Sequence, residues 1–327
     1  MPTAKDVARK AGVSASTVSR VINEDPRISP ETRDKVLQCI EDLGYRVNNI
    51  ARSLKTNKTY TIGFLCPELV NDFFMKIAEG IEDELGKCGY SMLVCTSNGT
   101  AAGEEERIRL LFDKCIDGLI VIPASNAGRH FQWILDMQIP VVLADRLVEG
   151  LTADAVLVDN FNGTYLAIEH TIKQGERRIG YIGGDLALTT AKERDDGYRK
   201  ALESYSIPLD PAIVKYGDFH TESGYAKMRE LMELENPPGC VFIANRYMHI
   251  GATKYLIEHA KQRKEGQSVS IVSFDDIDLV SSLGFCKTVV KQPILEIGTT
   301  AAKLLLDRIN GESRPFPQII RLKTELE

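Results

Sequence analysis

The chain has 327 residues, of which 43% are hydrophobic and 26% charged, with a net charge of −6. That length exceeds one simple core and predicts two or three domains, while the net acidity excludes a protein that coats nucleic acid with its whole surface. No apolar run is long enough for a membrane span and the N-terminus lacks a signal-peptide core, so a cytoplasmic protein without membrane contact is expected.

The charge is unevenly shared. Residues 1–58 hold 11 Lys/Arg against 7 Asp/Glu, and the remainder holds 29 against 39. A basic head on an acidic body predicts a head that meets an anionic polymer. In that head, Thr3 followed by Asp6 reads as a helix N-terminus, and Val7, Ala8 and Ala11 form one apolar face. Gly12 suits a tight turn, Ser14 can cap a second helix, and Val18, Val21 and Ile22 recur at helical spacing. Ser29-Pro30-Glu31 opens a third helix carrying Val36, Ile40 and Leu43, which Gly44 ends. Three short helices around one apolar cluster predict a helix-turn-helix.

A recognition helix enters the major groove by its N-terminal end, where side chains must be short and polar. Ala15 and Ser16 are small enough for close approach, and Ser14, Thr17 and Ser19 can donate to phosphates. Arg20 can make the forked contact to guanine. For Ala15 and Ser16, base contact and mere steric permission stay equally open. The run "DVARKAGVSASTVSRVIN" resembles the signature of the lactose-repressor family of bacterial transcription regulators. The DNA-facing set in the head is therefore Thr3, Ser14, Ala15, Ser16, Thr17, Ser19, Arg20 and Asn23. Residues 47–59 resemble the family's hinge helix, and the resemblance implies Leu54 as a minor-groove wedge, with Asn48, Ala51, Arg52 and Lys55 around it.

From residue 60 onward, short apolar runs such as "YTIGFLC", "DGLIVIP", "PVVLAD" and "CVFIAN" alternate with amphipathic helices. Such runs suit strands buried on both faces of parallel sheets. About ten of them predict two doubly wound lobes, of the periplasmic-binding-protein type that the resemblance implies. The seven cysteines form no CxxC pair and read as reduced thiols, mostly buried; no spacing suits zinc. No phosphate loop, nucleophile elbow or HExxH is present. Neither an enzyme nor a bound cofactor is expected.

Polar and aromatic residues stand where strands end, the edge at which open α/β sheets bind ligands. They are Phe73, Phe74, Asp145, Arg146, Thr190, Arg194, Phe219, Asn245, Asp275 and Gln292. The set, with Asn71, resembles the sugar cleft of the family, in which rings cover the apolar faces of a pyranose and planar polar groups pair its hydroxyls. Two positions depart from the family pattern: Asp72 stands where proline is common, and Arg246 where aspartate is common. An Arg246 turned inward would suit an anionic sugar; turned outward it would carry no such meaning.

The expected organisation is a DNA-binding domain at 1–46, a linker at 47–59 and an effector and dimerisation domain at 60–327. Lobe 1 would hold about 60–160 plus 291–318 and lobe 2 about 161–290, with crossings near Asp159-Asn160, Val289–Gln292 and Pro317–Ile320. The expected partners are double-stranded operator DNA, a sugar or sugar acid, and a second copy in a homodimer. The function expected is repression of a carbohydrate-related operon; the alternative is a sugar-binding protein of a transport system.

Overall fold

The structure, a computed structural model, describes residues 2–22, 25–45, 58–126, 128–260, 269–275, 285–313 and 315–327. They fall into two compact units, 1–59 and 60–327. Asn23 and the expected hinge residues Asn48, Ala51, Arg52, Leu54 and Lys55 lie outside the described residues.

The described residues of the first unit form three helices, α1 (Ala4–Ala11), α2 (Ala15–Ile22) and α3 (Pro30–Leu43). Thr3 and Asp6 close a reciprocal capping box at the start of α1, and Gly12 leaves it at φ 66°. Ser29 caps α3, Pro30 fills its first position, and Gly44 ends it at φ 60°. Val7, Ala11, Val18, Val21, Val36 and Cys39 form the core. Ile22, Ile40 and Leu43, expected inside, pack only partly buried at its margin.

The second unit contains two six-stranded sheets. The first sheet comprises β1 (Thr61–Cys66), β2 (Ser91–Thr96), β3 (Gly118–Val121), β4 (Val141–Ala144), β5 (Asp154–Val158) and β11 (Ile319–Leu322). Its order is β11-β5-β4-β3-β1-β2 and every pairing is parallel. The helices are α4 (Asp72–Lys87), α5 (Ala101–Asp113), α6 (Arg129–Asp136) and, from far along the chain, α11 (Ile294–Ile309). Alternate strand residues feed two different cores. Phe64, Ile120 and Val142 face one, with Ile297 and Leu305, while Leu65, Val121 and Leu143 face the other. This two-sided burial is why the runs are apolar without alternation. Gly80 and Gly298 let α4 and α11 touch backbone to backbone, since a Cβ on Gly80 would lie 2.3 Å from the Leu295 carbonyl oxygen.

The second sheet comprises β6 (Ile179–Gly183), β7 (Val214–Tyr216), β8 (Cys240–Ile243), β9 (Ser270–Phe274), β10 (Cys286–Lys291) and β12 (Glu325–Leu326). Its order is β12-β10-β9-β8-β6-β7, parallel except for β10 with β12. It is covered by α7 (Asn160–Lys173), α8 (Thr189–Ser204), α9 (Thr221–Met232) and α10 (Arg246–Glu258).

The chain passes between the sheets after β5, after β10 and between β11 and β12. The last passage lies beyond Leu322, later than the crossing expected near Pro317–Ile320. The reason is an anchor at the start of β11. Asp154 is buried, pairs with Arg308 at 2.7 Å, and accepts from the Gln318 backbone N–H at 2.7 Å. That carboxylate holds 319–322 in register on β5, so the strand runs its full length in the first sheet. Among the described residues no helix is long and apolar enough to cross a membrane. None of the seven cysteines is in a disulfide; Cys39, Cys66 and Cys240 are buried, whereas Cys88 and Cys115 are exposed, contrary to the expectation of mostly buried thiols.

Candidate functional site

On the first unit, Ser14 performs the capping expected of it. Its hydroxyl accepts from the Thr17 backbone N–H at 3.1 Å and lies 2.7 Å from the Ser16 hydroxyl and 2.8 Å from that of Thr17. Thr3, Ala15, Ser16 and Arg20 are exposed, while Thr17 and Ser19 are half-buried. Short polar groups and one exposed arginine at the start and along the outer side of α2 leave its backbone open to close approach, as a groove-reading helix requires.

The eleven cleft residues named from sequence, dispersed over more than two hundred positions, all line one inner cavity between the two sheets. They come from the C-terminal ends of seven strands. Asn71 follows β1 and caps α4, its side-chain oxygen accepting from the Phe73 N–H at 3.1 Å. That cap places the Phe73 and Phe74 rings 5.6 Å apart, edge to face. Asn245 follows β8 and does the same for α10, accepting from the Met248 N–H at 3.0 Å while its amide donates to the Phe219 carbonyl at 2.9 Å.

Arg194, from the second turn of α8, makes its hydrogen bonds within its own lobe. Its guanidinium donates to the Asn160 side chain at 2.9 Å and the Ala244 carbonyl at 2.5 Å, and stacks 3.7 Å over the Phe274 ring. Arg146 donates to the Pro123 carbonyl at 3.0 Å and lies 3.4 Å from the Asp145 carboxylate. Burial pushes both arginines below their usual range. Burial also raises the Asp145 carboxyl against the pull of Arg146 and Arg194. Asp275 rises to about 6 for the same reason, opposed by Arg194 and by a 2.5 Å hydrogen bond from Gln292. Thr190 is buried beside Arg194 in the first turn of α8.

Three residues of this cavity adopt left-handed backbone: Asp145 (φ 66°), Phe219 (φ 71°) and Asp275 (φ 64°). For a phenylalanine this is a costly conformation, held only where surroundings fix it. Gly184 is one such surrounding, because a Cβ there would lie 2.1 Å from the Phe219 ring.

Sequence reasoning left out Tyr247 and Asn160, and left the direction of Arg246 open. Arg246 and Tyr247 both line the cavity. The Arg246 guanidinium reaches the Asp72 carboxylate across the cleft. The Tyr247 hydroxyl lies 3.3 Å from both the Val70 carbonyl and the Asp72 carboxylate. His220 meets Glu68 at 2.9 Å, and the Leu147 N–H donates to the Thr189 hydroxyl at 3.1 Å. These bridges join the lobes closely. The inner cavity is only about 60 Å³, enough for a few waters, and opens beside an outer one of about 310 Å³. The signal for Tyr247 was its place directly after Asn245-Arg246 at a strand end; for Asn160, its place at a crossing.

Residues 3–48 match the family described as bacterial regulatory proteins, lacI family, and residues 168–327 match the periplasmic binding protein-like domain. The HTH-type transcriptional repressor PurR of Vibrio atlanticus (strain LGP32) is 33% identical, over 99% of this chain and 98% of its own. The structure of the transcriptional regulator CelR in complex with cellobiose is 31% identical, covering 100% of this chain and 98% of that one, with a TM-score of 0.74. The lac repressor bound to ONPG in its repressed state is 25% identical, with coverages of 100% and 98% and a TM-score of 0.86. The capped helix-turn-helix, the two crossed lobes and this full-length likeness lead to one conclusion: the chain belongs to the lacI family of bacterial regulatory proteins, DNA-binding regulators of transcription.

Proposed function

We propose that the protein represses a carbohydrate-related operon, binding a near-palindromic operator as a homodimer whose affinity is set by a sugar or sugar acid between the lobes. In this reading residues 1–46 read DNA, 47–59 connect, and 60–327 sense and dimerise. The observation that carries it is the convergence of seven strand ends on one cavity furnished with aromatic rings and planar hydrogen-bonding groups. A sugar hydroxyl both donates and accepts, and must be paired when buried, which amide, carboxylate and guanidinium side chains achieve. The small volume of the inner cavity means that a ligand enters as the lobes part.

A second copy has a surface to meet. β2 is an edge strand of the first sheet, and its Leu93 and Val94 are 37% and 40% exposed. Covering such an edge removes its unpaired backbone groups and apolar side chains from water. Two heads on a two-fold axis would then read two half-sites. The transport-protein alternative leaves the helix-turn-helix without a use.

The test is a thermal-shift screen of the full chain against sugars, sugar acids and sugar phosphates, followed by operator titration with each hit. A hit should change operator affinity, and operator should change affinity for the hit by the same factor. A hit that Asp275→Ala fails to weaken, or one without effect on operator binding, defeats the reading.

A further inference from the structure

Three guanidinium groups, Arg146, Arg194 and Arg246, share the inner cavity with two carboxylates, Asp145 and Asp275. Arg146 and Arg194 are tied to carbonyl oxygens, of Pro123 and Ala244. Arg246 is placed differently: its ion-pair partner is Asp72, on the far side of the cleft. The pair is lopsided. The Arg246 side chain is 17% exposed and that of Asp72 is 47% exposed.

That difference decides which partner can be exchanged. Asp72 can turn to water and lose little, because it is already half-solvated. Arg246 cannot, because a largely buried charge without an anion is costly. Asp72 also fills the site incompletely. It accepts from one terminal nitrogen, while the Arg246 Nε is buried without a hydrogen-bond partner. A carboxylate or phosphate from a ligand can instead pair two nitrogens of the guanidinium at once, the forked geometry that group favours. The adjacent Tyr247 hydroxyl would add a neutral donor once released from Asp72. The outer cavity carries four carboxylates, Glu68, Asp185, Asp218 and Glu222, against Arg146 and His220, so the negative end of a bound ligand is better placed in the inner cavity.

We propose that the ligand of this cleft is an anionic sugar derivative, a sugar acid or sugar phosphate, whose charged group displaces Asp72 from Arg246. This rests on the sugar-binding reading of the cleft given above. Asp72 is then a resident stand-in: it neutralises Arg246 until the ligand's own anion takes its place.

The experiment is calorimetric titration of the full chain with D-glucuronate, D-galacturonate, D-gluconate and D-glucose 6-phosphate, each against D-glucose or D-galactose as its neutral parent. At least one anion should bind about tenfold or more tighter than its parent, the size expected of a well-paired charge-assisted contact. Its being an acid or a phosphate fixes which group Arg246 takes. Asp72→Asn should tighten that anion several-fold by removing the internal competitor, and Arg246→Gln should erase the gap. Asp72 is exposed enough that its variant folds whatever its role. A neutral parent that binds as tightly as the anion, a gap that survives Arg246→Gln, or an anion indifferent to Asp72→Asn overturns the proposal and leaves the sugar reading standing. If neither series binds, both fall.

Discussion

The recognition helix and the cleft solve the same problem, holding polar groups ready for a partner, by opposite means. On the helix, Ser14, Ser16 and Thr17 are neighbours in sequence and satisfy one another locally, with Ser14 and Ser16 exposed to solvent. In the cleft, Asp145, Arg194 and Asp275 are far apart in sequence, the first two buried and the third half-buried, and satisfied through a network that spans several strands. A locally satisfied exposed group can be changed at the cost of its function alone. A buried charge in a network carries stability as well as function.

The sharpest way to break that contrast is Arg194→Ala. It leaves the Ala244 carbonyl without its guanidinium donor and Asp145 and Asp275 without a shared counter-charge, and should cost about 3–5 kcal/mol in urea unfolding. A loss below about 1 kcal/mol would mean that the cleft is as forgiving as the helix. Arg20→Ala should behave in the opposite way. Unfolding should be unchanged, while discrimination between operator and random DNA falls by about 1–3 kcal/mol and the salt-dependent background persists. Fluorescence anisotropy at two salt concentrations separates the two components.

The smallest effect concerns lobe closure. The Glu68 carboxylate raises His220 above its ordinary value, and Asp218 lies 3.4 Å away with the same sign. A raised histidine favours the bridged form fully below its unbridged value near 6.5, and that contribution fades as pH climbs through the raised one. Closure should therefore loosen modestly between pH 6 and pH 8, seen as a growing radius of gyration in X-ray scattering. Glu68→Gln should flatten the trend; an unaltered trend would assign the pH dependence elsewhere.

The head was legible because its signals are local. The Thr3–Asp6 box, Gly12 and Ser29-Pro30 each act within a turn, and the core closes within 45 residues. The cleft was legible to the extent that strand ends announce themselves. What escaped depended on tertiary geometry. The left-handed φ of Asp145, Phe219 and Asp275 has no sequence signature, since none is glycine. The direction of Arg246 was fixed only by Asp72, a residue 174 positions away. The third crossing was misplaced because β11 alternates exposed and half-buried residues, so its apolar signal is weak; its boundary is set by the Asp154–Arg308 pair.

The passage from β11 to β12 has a consequence for the order of events on the ribosome. The first sheet lacks an edge until 319–322 emerge, and the second lacks its antiparallel edge until 325–326 follow. The helix-turn-helix core, by contrast, is complete by Tyr45. At about 5–20 residues per second, the DNA reader is finished some ~15–60 s before the sensor that governs it. A nascent chain stalled in that interval would carry a finished reader and an unfinished sensor.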